Sequence, residues 1–103
     1  TQNKMIDVRM PDGNVLSKKA VNAVGQQYGD IAREVKKNPN AWDIATMVDE
    51  SKTRVGGVIP SSEMSKWLGF FQELTKLQRD LDTSDMDSWV EFFEVVEKVL
   101  TEV

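Results

Sequence analysis

The sequence predicts a mainly α-helical domain: about four helices in a small bundle, a short N-terminal β-hairpin or strand, and an antiparallel helical hairpin at the end. Three observations predict it. Apolar residues recur at intervals of three and four through most of the chain after residue 17, which is the period of a helix with one buried face. Residues 61–103 place two such segments on either side of the polar run DTSDMD, the pattern of a helical hairpin. The 103 residues, 40% apolar and 29% charged, suit one soluble domain spanning 1–103 with no linker or repeat inside it.

The β element is expected within residues 1–16. Lys4 to Arg9 alternates in polarity, and Pro11-Asp12-Gly13-Asn14 is a turn signal before Val15 and Leu16. Two strands alone are marginal in water, so they must lie on the helices or pair with another edge.

Ser17 is placed to cap a first helix from Lys18 towards Lys37, with Ala20, Val21, Val24, Tyr28, Ile31, Ala32 and Val35 on its apolar face. Gly25 and Gly29 weaken its middle by roughly 1 kcal/mol each relative to alanine. Either the helix breaks there or the glycines admit a close helix crossing. Lys36 and Lys37 suit its C-terminal dipole, and Asn38-Pro39 ends it. Asn38 or Asn40 then caps a second helix carrying Trp42, Ile44, Ala45, Met47 and Val48, and Gly56-Gly57 permits a turn. Residues 17–60 thus hold two helices.

The final hairpin carries most of the large apolar side chains. Its first arm starts at Ser61 or Ser62 and aligns Trp67, Phe70, Phe71, Leu74, Leu77 and Leu81. The second arm is capped by Ser84, Asp85 or Asp87. It is rich in valine, yet the doublets Phe92-Phe93, Val95-Val96 and Val99-Leu100 break any period of two and make it a helix. Val90 and Val95 widen its apolar face, which must be central in the domain or covered by another copy in a homo-oligomer.

The composition argues against an enzyme. There is no histidine or cysteine, which removes the usual nucleophile arrangements and zinc sites, and no glycine-rich loop has the lysine and spacing for phosphate. The carboxylates Glu91, Glu94, Glu97 and Glu102 lie on a polar helical face where water keeps them ordinary. No cofactor or metal is implied. No apolar run reaches the length of a membrane span, and TQNK at the start lacks a signal-peptide core, so a cytoplasmic protein without a membrane partner is expected.

Charge divides unevenly. Residues 72–103 carry nine acidic and three basic side chains, whereas the whole chain has a net charge of −4. An acidic end steers towards a basic protein surface. The leading expectation is therefore a non-enzymatic protein-binding module, an adaptor, inhibitor or assembly accessory of the kind phages also use. It would bind through Asp85, Asp87, Glu91 and Glu94, with Trp89 as an aromatic anchor.

Three local resemblances supply alternatives. Residues 43–59 resemble the DNA-reading helix-turn-helix of lac-repressor-type regulators, with Ile44-Ala45 opening the first helix. The resemblance implies that Ser51 caps a second helix whose Lys52, Thr53 and Arg54 face DNA. Residues 80–91 resemble the calcium loop of an EF-hand, with oxygen ligands starting at Asp80 and ending at Glu91. Asp87-Ser88 is similar to the phosphopantetheine-bearing serine motif of acyl carrier proteins, which would make Ser88 an attachment point; its simpler role is helix capping.

Overall fold

In the computed structural model, which describes residues 16–101, the chain forms four α-helices: α1 (Lys18–Lys37), α2 (Ile44–Gly56), α3 (Met64–Arg79) and α4 (Met86–Thr101). Two short 3-10 turns, Pro39–Ala41 and Ser61–Glu63, precede α2 and α3. The β element expected within residues 1–16 lies, but for Leu16, outside the described residues.

α1 forms as its sequence dictates. The Ser17 hydroxyl accepts from the Ala20 amide at 3.1 Å, Lys36 and Lys37 stand in the last turn, and the helix runs unbroken through both glycines. Its buried face includes Val24, Tyr28, Ile31, Ala32 and Val35. The next start differs from expectation. Pro39 begins a 3-10 turn instead of an α-helix, and the N-cap of α2 is Asp43, whose carboxylate accepts from the Thr46 amide at 2.7 Å. The third start shifts as well: Ser61 and Ser62 form a 3-10 turn, and α3 begins at Met64 without a side-chain cap. Asp85 serves α4, accepting from both the amide (3.3 Å) and the hydroxyl (2.7 Å) of Ser88.

The glycines settle the helix pairing. An added Cβ on Gly25 would lie 2.9 Å from Leu100 Cβ and Thr101 Cγ2 and 3.3 Å from the Glu97 carbonyl oxygen, while one on Gly29 would run into the Glu97 carboxylate. These positions let α1 and α4 cross at close range, and their antiparallel seam is the tightest in the fold. Arg33 clamps its edge to Glu97 at 3.2 Å, and Lys36 pairs with Glu94. The expected hairpin of residues 61–103 is corrected accordingly: α4 takes α1 as its intimate neighbour, and α3 stands farther off.

Because α4 lies in the middle, its wide apolar face is consumed internally. Trp89, Val90, Phe92, Phe93, Val96 and Leu100 are all buried by the domain itself, while Val95 and Val99 of the same helix are half-buried. Phe93 packs edge-on against Tyr28, with centroids 5.1 Å apart. α3 reaches the same core through Trp67, Phe70 and Leu74; Trp67 and Phe70 meet at 5.5 Å, nearly perpendicular. The Trp67 indole nitrogen is buried without an acceptor, alone in this among the described side chains.

Candidate functional site

The chain was expected to act through the acidic surface of its last third, and the structure divides those residues into two groups. Glu94 and Glu97 are used internally, tying α4 to Lys36 and Arg33. Asp80, Asp82, Asp85, Asp87 and Glu91 remain exposed around the α3–α4 connection and the first turns of α4. No ion pair joins Asp80, Asp82, Asp85 or Asp87 to a basic side chain among the described residues. The hydroxyl and amide of Ser84 hydrogen-bond Asp82, which holds its carboxyl below the usual aspartate range and keeps it charged.

Trp89 has a different place from the one expected of it. It is only 5% exposed, and its indole N–H donates to the Asp82 carbonyl at 3.0 Å. It therefore pins the acidic connection to the core and is not an external anchor. The periodicity had already put Trp89 in register with Phe92, Phe93 and Val96; that inward register was the signal of burial.

The helix-turn-helix expectation is corrected by α2. Residues 44–56 form one continuous helix with no turn at Asp49-Glu50, so no second helix begins at Ser51. Ser51 is buried, donates to the Val48 carbonyl at 2.7 Å and pairs with the Tyr28 hydroxyl, so it faces the core. Arg54 forks onto Glu34 at 2.8 and 3.0 Å and meets Glu50 at 3.0 Å. That pairing holds Glu34 low and Arg54 high in pKa, and it occupies the guanidinium that DNA would require. Lys52 and Thr53 are exposed beside it.

The calcium resemblance fares similarly. Helix α4 begins at Met86, inside the supposed loop, and Asp82 and Asp85 each bind a serine locally. No group of three or more metal-ligating side chains gathers among the described residues. Ser88 is half-buried in the first turn of α4 with its hydroxyl on Asp85, the geometry of a cap and not of an attachment point.

A second surface had no counterpart in the sequence reading. Between α2 and α3 lies an apolar groove of about 270 Å³ whose floor is made by Tyr28, Val55, Ile59 and Leu74. Val48 and Lys52 form one bank, and Met64, Phe71, Thr75 and Gln78 form the other. The groove exists because α2 and α3 do not close on each other as α1 and α4 do. Met64 and Leu68 are the large apolar side chains left exposed, at 39% and 54%. Burial pushes the Tyr28 phenol up to about 12, against a smaller opposing effect of its Ser51 hydrogen bond. The carboxylates that shift, Glu34, Asp43 and Asp82, all shift down, held as anions by hydrogen bonds; an acid catalyst needs one pushed up.

Comparison with protein families, with curated proteins and with solved structures gives no match. No described helix is long and apolar enough to cross a membrane.

Proposed function

We propose that the protein is a non-enzymatic protein-binding module whose exposed acidic corner draws in a partner with a basic surface. One observation carries the reading. The acidic side chains of the last third separate into those spent on internal ion pairs and those at the α3–α4 corner, where Asp80, Asp82, Asp85 and Asp87 lack a basic partner among the described residues. Packing this many carboxylates together costs self-repulsion that a cationic partner relieves, and it raises the encounter rate at low salt. The absence of histidine and cysteine from the chain, and the downward carboxylate shifts, favour binding over catalysis. DNA binding through residues 51–54 has less support, since Arg54 is committed to Glu34 and Glu50.

The test is affinity capture of partners with wild-type protein and with the double variant Asp85→Lys plus Asp87→Lys, each washed at low and high salt. The expected result is a stoichiometric partner retained at low salt and lost in the variant. Equal retention by the variant overturns the acidic-corner reading. Because Asp85 also caps α4, Asp80→Lys plus Asp87→Lys serves as the variant that leaves the cap intact.

A further inference from the structure

We infer that the groove between α2 and α3 is a docking site for an amphipathic helix of a partner protein, one that carries carboxylates along the edge of its apolar stripe. The inference takes its class of partner from the protein-binding reading but uses a surface separate from the acidic corner.

The shape favours a helix. Met64, Leu68, Phe71 and Thr75 recur at intervals of four, three and four and so fall on one side of α3. That row extends about 20 Å along α3 as far as Gln78, a length that matches four turns of a docked helix. Leu68 is more than half exposed although it lies in register with Met64 and Phe71, which line the cavity, so the apolar surface continues past the cavity itself. The backbone of the α2 bank is bare as well. Gly56, which lines the groove, has nothing beyond its own helix backbone within 4 Å of where a Cβ would sit, in contrast to Gly25 and Gly29, whose missing side chains admit α4.

Charge selects the partner. The molecule is acidic overall, yet the one charged side chain among the described residues that line this groove is basic. Lys52 lines it, and Arg79 continues the row of Leu68 and Thr75 at the far end of α3. Neither makes an ion pair among the described residues. Along α2, Glu50 is two residues from Lys52 and is paired with Arg54, and Asp49, one turn back, is exposed and does not line the groove. An apolar stripe edged with glutamate therefore fits, and one edged with lysine meets Lys52 and Arg79 with like charge.

The probe is a pair of fluorescein-labelled helical peptides of about 15 residues with leucine at i, i+4, i+7 and i+11, one edged with glutamate and one with lysine. Fluorescence anisotropy is expected to show the glutamate peptide binding at least tenfold more tightly. Lys52→Glu plus Arg79→Glu should invert that order, and Leu68→Asp should abolish binding of both. Lys52, Leu68 and Arg79 are exposed, so these variants should keep the wild-type circular dichroism and melting temperature. Asp80→Lys plus Asp87→Lys should leave the peptide preference in place, which separates failure of this inference from failure of the acidic-corner reading. Any of three results overturns it: no binding of either peptide, equal binding of both, or sedimentation showing a self-associated protein that Leu68→Asp renders monomeric, which would make a second copy the occupant.

Discussion

The α1–α4 seam and the α2–α3 seam use the same kinds of residue to opposite ends. In the first, Gly25 and Gly29 remove side chains so that α4 can come close, Phe93 meets Tyr28, and Arg33 and Lys36 fasten the edge to Glu97 and Glu94. In the second, Gly56 faces open space, Phe71 is half-buried, and Lys52 has no carboxylate to fasten to among the described residues. The difference separates a closed seam that holds the molecule together from one that leaves apolar surface open.

The largest test of this contrast is truncation of one aromatic residue on each side. Phe93→Ala is expected to cost about 3–5 kcal/mol in denaturant unfolding, since a fully buried ring leaves a cavity, whereas Phe71→Ala should cost about 1 kcal/mol. Equal losses would mean that the second seam is as closed as the first.

Tyr28 belongs to both seams, packing on Phe93 and flooring the groove, and its titration reports whether that floor is dry. Burial raises its folded pKa to about 12, above the ordinary tyrosine value of 10.0. The neutral phenol thus contributes stability that is complete below pH 10 and is lost as the pH rises towards 12, by about 2–3 kcal/mol at the limit. Tyr28→Phe should remove most of that alkaline loss. If wild type and variant lose stability in parallel between pH 10 and 12, water reaches the phenol.

Glycine substitutions give a smaller effect of opposite sign at the two seams. Gly25→Ala should destabilise by about 1–2 kcal/mol, because its Cβ meets Leu100 and the backbone of Glu97 and this outweighs the gain in helix propensity. Gly56→Ala, at the groove, should stabilise the free protein by up to about 1 kcal/mol. Gly29→Ala lies between them, since the obstructing Glu97 carboxylate can swing aside at the expense of its Arg33 pair. A loss at Gly56 as large as that at Gly25 would remove the contrast.

The smallest expected effect is electrostatic. Arg54 lowers the pKa of Glu34, so this pair contributes stability above the ordinary glutamate pKa and loses it as the pH falls through the lowered folded value. Glu34→Gln should therefore flatten the acid limb of a plot of melting temperature against pH, leaving the alkaline limb unchanged.

What the sequence made legible were features encoded within a few residues of one another. Ser17 as a cap, the bounds of α1 at Lys18 and Lys37, and the helical state of the valine-rich α4 all follow from local spacing and capping chemistry. The pairing of helices was harder to read, because it depends on residues about seventy positions apart, as with Gly25 and Leu100. Local pattern left two meanings for those glycines, and only the close approach of α4 selects one. An aromatic residue beside acids suits an interface, which makes Trp89 read as a surface anchor; its inward register with Phe92, Phe93 and Val96 is the stronger signal. The groove was illegible for a further reason: it arises from two helices failing to meet, and the spacing within either helix does not encode that failure.

The close crossing of α1 and α4 also bears on the order of events during synthesis. A chain emerging from the ribosome has α1 long before α4, so the face of α1 around Gly25, Tyr28 and Gly29 waits, uncovered, while two other helices are made. Such distant partnerships slow the collapse to the native state. Interruption of translation within residues 80–85 would leave three of the four described α-helices made and none of α4 to cover that face.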